Sequence, residues 1–188
     1  VQIVCGADNV EKGQYVVVAQ VGTVLPGDFL IKQSKIRGEE SNGMICSLKE
    51  LGIDSKYIPD DSVDGIYYFG KPQKPGTPGL EALALEGWVM ELGLTPNRAD
   101  LLSVLGFAYD LASMSGQKVD IPQFKIAETK TINPIKIDIE TEGCGTYHAR
   151  YFESLTIKES PLWLKSALLA NDMKPINNVV DISNYVLL

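Results

Sequence analysis

The chain has a single histidine, His148, and three cysteines, Cys5, Cys46 and Cys144, none in a C-x-x-C pair. One imidazole and an odd set of scattered thiols make neither a zinc site of normal ligand count nor a disulfide framework. The cysteines therefore read as buried free thiols and His148 as a structural side chain. Long apolar runs are absent too: stretches such as Tyr15–Ala19 and Leu162–Ala170 fall far below the roughly 20 residues a bilayer-spanning helix needs. The first residues lack the basic, apolar, small-residue order of a secretory signal, so the chain reads as cytoplasmic. A basic excess is missing: 17 Lys and Arg stand against 24 Asp and Glu, a net charge of -7. That is the wrong sign for a protein whose whole surface grips nucleic acid, and any such contact must be local. Asp100, Asp110, Glu153 and Asp181 show no paired spacing for acid-base chemistry and read as caps and ion-pair partners. No internal repeat is found. What remains, 45% apolar and 22% charged over 188 residues, suits one large or two small globular domains.

Turn punctuation between short β-rich runs fills the first third. Gln2–Val4 and Gln14–Ala19 are rich in Val, Ile and Tyr around Asp8-Asn9 and Gly13, which predicts two strands across a loop. In Leu25-Pro26-Gly27-Asp28, Pro sets φ at the second turn position and Gly supplies positive φ at the third. A type II turn should then reverse the chain into Phe29–Gln33. Met44–Cys46 reads as a strand after the Ser41-Asn42-Gly43 turn, and Ile66–Phe69 as another. Between them Ser47-Leu48-Lys49-Glu50 is a capping box for one helical turn that Gly52 ends. These elements predict a compact β-barrel of short strands with one short helix.

The proline- and glycine-dense stretch Lys71–Gly79 marks a linker. Asn97 is the expected N-cap of a packing helix in which Leu101, Leu102, Val104, Leu105, Ala108, Leu111 and Ala112 recur at helical spacing up to Gly116. Pro122–Pro134 is a second connector. Ile135, Ile137 and Ile139 alternate with polar residues as a half-buried strand, and Tyr147–Phe152 and Leu155–Ile157 continue the β character. Ser160-Pro161 predicts an N-cap followed by Pro at the first helical position. A further helix is expected from Asn177 or Asn178.

The local basic cluster is Lys32, Lys35 and Arg37, with Glu39 and Glu40 close behind. The acids blunt its field at a distance but not contacts made within a Debye length of about 10 Å. Two readings stay open: the cations track phosphates, or they defend a strand edge. Met44 likewise reads either as a loop-tip contact for RNA or as a filler of the barrel bottom. Arg98 and Asp100 read as a local lock on the helix start.

The string Ile3-Val4-Cys5-Gly6-Ala7, Asn9-Val10, Gly13, Val16, Val18-Ala19, Leu25-Pro26, Lys35, Arg37-Gly38, Ser41, Gly43-Met44, Cys46-Ser47 and Glu50-Leu51-Gly52 closely resembles the tRNA-binding oligonucleotide/oligosaccharide-binding (OB) family. Leu94-Thr95-Pro96-Asn97-Arg98-Ala99-Asp100 with Gly106, followed by the run from Pro175 to Val186 (PINNVVDISNYV), narrows the likeness. In this order they resemble the bacterial phenylalanyl-tRNA synthetase beta subunit family. The resemblance implies an α+β fold: an OB-type β-barrel in residues 1–70, a linker over 71–79, the helical part of a host domain over 80–117, a connector over 118–134 and the start of an editing domain over 135–188. It also implies that the chain is a fragment opening inside the OB module, so that the barrel is incomplete and leaves an unpaired strand edge.

The same resemblance points to Lys32, Lys35, Arg37, Ser41, Gly43, Met44 and Ser47 for RNA binding, and to Lys174, Asn177 and Asn178 at the edge of a pocket that hydrolyses mischarged tyrosyl-tRNA. Lys174 stands where the family commonly carries arginine, which puts a bidentate contact in doubt, and a solvent-facing Lys at a helix C-terminus is the alternative. Implied partners are tRNA and a catalytic alpha subunit in an alpha2-beta2 heterotetramer, with no DNA or membrane. ATP and magnesium serve the complete enzyme, and no cofactor, metal or catalytic residue is expected in this stretch. A freestanding tRNA-binding OB protein and a purely structural assembly module are the competing readings.

Overall fold

The computed structural model describes the backbone of residues 1–188 and every side chain except that of Asp61. It is an α+β structure of small sheets and four α-helices, and no closed barrel forms among the described residues. Two compact units are present, Val1–Gly93 with Lys158–Leu188, and Leu94–Ile157.

In the first unit the strands are short: β1 Tyr15–Val16, β2 Val18–Gln20, β3 Val24–Leu25, β4 Phe29–Leu30, β5 Ser34–Ile36, β6 Glu39–Ser41, β7 Gly43–Ile45 and β8 Tyr68–Phe69. They pair antiparallel as β1 with β8, β2 with β7, β3 with β4 and β5 with β6. Local sequence dictates both hairpins. Gly27 has φ 78°, as the expected turn demands, and Asp28 adds φ 58°, a left-handed value that Asp tolerates better than most residues. In the β5–β6 hairpin Ile36 pairs with Glu39 across Arg37 and Gly38, at φ 52° and 92°. Two positive φ values in a two-residue loop follow the right-handed twist of the flanking strands.

The core gathers Val17, Ala19, Leu25, Ile31, Cys46, Leu48, Ile58, Phe69 and Leu83. Cys46 ties two ladders, its N–H donating to the Val17 carbonyl at 2.9 Å and its carbonyl accepting from Tyr67 N at 3.1 Å. Burial pushes its thiol pKa up, partly offset by a hydrogen bond with the Ala19 backbone, so the sulfur stays protonated at neutral pH. A thiol reagent at neutral pH is therefore expected to label the partly exposed Cys5 and Cys144 in the native protein and Cys46 only after unfolding. Rapid modification of all three without denaturant would contradict this packing.

After the turn that follows Lys71, α1 (Gly79–Ala82) delivers Leu83 into this core. The helix α3 (Leu162–Ala170) turns Leu164, Ser166 and Leu168 inward; Leu162 packs on the same core, and the Ser166 hydroxyl donates to the Leu83 carbonyl. Next comes α4 (Asn178–Leu187), whose N-cap is Asn177: its Oδ1 accepts from the Val179 and Val180 amides, each at 3.1 Å. Asp181, buried in the first turn, accepts from the Ile176 amide at 2.8 Å and from the Ser160 hydroxyl. The rings of Trp163 and Tyr185 meet edge to face between α3 and α4.

In the second unit a 3-10 turn, Ala99–Leu102, precedes α2 (Val104–Ser115). Arg98 grips Asp100 through two bonds and Asp110 through a third. The cation holds the Asp100 carboxyl below its usual range. A Cβ at Gly106 would lie 1.7 Å from the Asp100 carbonyl oxygen, so only glycine lets the turn close on the helix.

Several expected elements differ. The helix expected from Asn97 begins at Val104, because the Ser103 hydroxyl takes the cap and accepts from Gly106 N at 3.0 Å. None of its residues is fully buried, and of its apolar stripe Ala108 and Ala112 are half-buried. Gln2–Val4 is not a strand: the Ser41 hydroxyl takes the Val4 amide, and Gln2 contributes a lone backbone bond, to Asn42. The last module strand shrinks to Tyr68–Phe69, since the Asn9 side chain occupies both backbone groups of Ile66. Residues 135–139, 147–152 and 155–157 form no strand, for no ladder partner lies beside them among the described residues. Ser160 does not cap α3; Pro161 stands at that position and the serine hydroxyl serves Asp181 instead.

Candidate nucleic-acid interface

Lys32, Lys35 and Arg37 are all exposed, on or beside the β5–β6 hairpin. Lys35 lies opposite Glu40 in the ladder, so its field is shared with a carboxylate, as exposed cross-strand charges usually are. Arg37 occupies a left-handed turn position that suits Asn or Gly better. Arg37→Asn should thus keep or raise stability, by about 0.5 kcal/mol, while removing the cation. Chemical denaturation checks it: a loss above about 1 kcal/mol would mean that the arginine side chain holds the hairpin.

The other four RNA-binding candidates are tied into the fold. Ser41 is buried, accepting from Val4 N at 3.0 Å and donating to the Gly43 carbonyl at 3.2 Å. Gly43 has φ 151°, and a Cβ there would come within 2.8 Å of the Ala19 carbonyl oxygen, so the approach of β7 to β2 requires glycine. Met44 is partly buried against the core. Ser47 completes the capping box: its N–H and hydroxyl donate to Glu50 Oε2 at 2.7 and 2.9 Å, and its oxygen accepts from Glu50 N at 3.2 Å.

Lys32, Gly43, Met44 and Ser47 nevertheless line one open cleft of about 670 Å³, together with Cys5, Phe29 and Lys49. Lys35, Arg37 and Ser41 do not line it. By sequence Phe29 stands isolated between apolar neighbours, which reads against a stacking platform; in the structure it is 56% exposed and lines this cleft. Its exposure follows from its place directly after the Pro26-Gly27-Asp28 turn, where a side chain at a hairpin mouth has little to bury it. A flat aromatic face is one means by which proteins hold unstacked bases, and the charges lining this cleft are mixed, Lys32 and Lys49 with Glu50 and Asp64.

At the C-terminal end of the first unit, Asn177 caps α4, and Asn178 is bound to Lys158 in both directions, its Oδ1 accepting from Lys158 N at 3.0 Å and its N–H donating to the Lys158 carbonyl at 2.9 Å. Both asparagine oxygens are therefore committed to backbone. Lys174 differs: its Nζ lies 2.6 Å from Asp60 Oδ1. Among the described residues there is no group of three His, Cys, Asp or Glu able to hold a metal ion, and no helix is long and apolar enough to cross a membrane.

Residues 1–78 match the family model of the putative tRNA binding domain, and residues 143–188 match that of the B3/4 domain. Over 191 aligned residues, covering 100% of this chain, it is 51% identical to the phenylalanine-tRNA ligase beta subunit of Staphylococcus aureus strain bovine RF122, and equally so to those of strains Mu50 and COL. Its homologues are phenylalanine-tRNA ligase beta subunits. The chain spans 24% of the length of these relatives. Against the beta-subunit homology, the tRNA-binding match takes in all seven RNA-binding candidates and the cleft, while the B3/4 match takes in Lys174, Asn177 and Asn178.

Proposed function

We propose that this chain is part of a phenylalanine-tRNA ligase beta subunit, supplying an RNA-binding surface of OB type and the opening of an editing domain. In this reading the complete enzyme joins phenylalanine to its tRNA with ATP and magnesium in the cytoplasm, and an alpha subunit in an alpha2-beta2 assembly carries the aminoacylation site. Residues 1–70 hold the RNA-binding module and residues from 135 onward belong to the editing part, where Lys174 borders the pocket for mischarged tyrosyl-tRNA. The observation that carries the reading is the convergence of Lys32, Gly43, Met44 and Ser47 on one cleft within the tRNA-binding match. Ser41 and Gly43 act by shaping the backbone around it; Lys32, Lys35 and Arg37 supply the phosphate contacts.

With a net charge of -7, tRNA binding by this chain is expected to be weak and to fall steeply with salt. The double variant Lys35→Ala with Arg37→Ala should weaken it and flatten the log-log salt slope by about one unit for each phosphate it no longer neutralises. Bound tRNA should also slow alkylation of Cys5, which lines the cleft, and leave Cys144 unchanged. An unaltered slope in the double variant would assign these side chains to protection of the hairpin edge. The pairing of Lys35 opposite Glu40 favours that second reading.

A further inference from the structure

Asp60 and Lys174 are 114 positions apart, yet they form an ion pair of 2.6 Å within the first unit. Asp60 opens the 3-10 turn Asp60–Ser62 in a stretch, 53–65, whose sequence carries Asp54, Asp60, Asp61 and Asp64 against Lys56 alone. It belongs to the tRNA-binding match, whereas Lys174 belongs to the B3/4 match. The pair is lopsided: the Asp60 side chain is 93% exposed and that of Lys174 34%. So open an ion pair is screened by water and salt, and its loss changes an equilibrium by a factor of only about 1.4 to 5. It is not what holds the two segments together; the contacts of buried Leu83 and Ser166 and of partly buried Leu162 do that. The pair is exchangeable.

We propose that Asp60 is a resident counter-anion for Lys174, occupying the ammonium until an RNA phosphate replaces it. The inference rests on the reading that Lys174 borders the tRNA site. A carboxylate and a phosphate offer an ammonium the same kind of anionic oxygen, and Lys meets either as a point charge on a flexible stem. The change of partner thus needs side-chain rotation only. Asp60 thereby makes the RNA-binding part and the editing-like part compete for one cation, so the contact with a phosphate forms at the expense of a contact between the two parts.

The test compares tRNA binding, across a salt series, for the wild-type chain, Asp60→Asn, Lys174→Ala and the double variant, with Asp54→Asn as a control for loss of charge from the same acidic stretch. Asp60→Asn should tighten binding about 1.4- to 5-fold, and the gain should vanish in the Lys174→Ala background while any gain from Asp54→Asn persists there. An equal Asp60→Asn gain with and without Lys174 would overturn the proposal, as would weaker binding by Asp60→Asn, which would make Asp60 a support for the RNA contact. If the wild-type chain shows no salt-dependent tRNA binding, the RNA-surface reading fails instead. The exchange is then decided with inorganic pyrophosphate, followed by nitrogen-15 NMR of the Lys174 ammonium. A response at lower pyrophosphate in Asp60→Asn than in wild type supports it, and no response in either protein overturns it.

Discussion

Replacing Leu83 with alanine should lower the unfolding free energy by about 3 kcal/mol, the middle of the range for a buried Leu→Ala change. For a chain of this length that corresponds to a fall in Tm of about 6 to 12 °C. Leu83 is 2% exposed and sits in the module core, while its carbonyl accepts from Ser166 in α3. The truncation leaves a void at the point where Leu162 and α3 reach the core, so the strands and the α3–α4 pair should lose stability together. Far-ultraviolet circular dichroism and the fluorescence of Trp163, which packs on Tyr185, should then shift to the same lower denaturant midpoint. Leu80→Ala, at a residue 54% exposed on α1, should change stability by less than about 0.5 kcal/mol. A Leu83→Ala loss below about 1 kcal/mol, or separate transitions for strands and helices already in wild type, would refute the shared core.

Asp181→Ala is expected to be comparably damaging, at about 2 to 4 kcal/mol. Asp181 is 1% exposed, and its carboxylate accepts from the Ile176 amide and the Ser160 hydroxyl. Alanine strands the buried Ser160 hydroxyl and the part-buried Ile176 amide without their acceptor, which is worse than never having formed the bonds. It also removes a negative charge from the first turn of α4, where the helix dipole favours one. Asp181→Asn keeps one acceptor and turns an amide donor toward the second site, so it should recover roughly half the loss. The comparison is of denaturant midpoints at unchanged m-value. An alanine variant as stable as wild type would mean that water replaces the carboxylate and that the segment from Lys158 to Asn178 is held by its other bonds.

Much of the local structure is legible in the residues. Pro26-Gly27 predicts a reversal, and it occurs, because positive φ at glycine is a property of one residue and needs no partner. Asn177 is one of two possible caps by sequence and is the one used; the Ser47-Glu50 capping box closes as its spacing demands. The failures share a cause. Ser160 and Ser103 are both good cap residues, but a distant carboxylate recruits the first, and the fold of the preceding turn moves the helix start from Asn97 to the second. The alternation at Ile135, Ile137 and Ile139 is a strand pattern without a ladder partner among the described residues, and a strand is completed only by its ladder. In the candidate site, Arg37 announces its charge but not its turn geometry, since a left-handed arginine violates the usual turn preferences.

By itself the sequence determined where the chain turns, the Asn177 cap of α4 and the Ser47-Glu50 capping box, and the order of segments that makes it similar to a beta subunit of an aminoacyl-tRNA ligase. Those features depend on a few neighbouring residues, whose steric and hydrogen-bonding preferences act at short range. Only the tertiary structure decided that Lys32 and Met44 share a cleft with Phe29 and Cys5, that Ser166 bonds to a carbonyl 83 positions away, and that Lys174 meets Asp60 across 114. These contacts arise when apolar side chains are removed from water as one body, and the polar groups carried along find partners that sequence proximity does not announce.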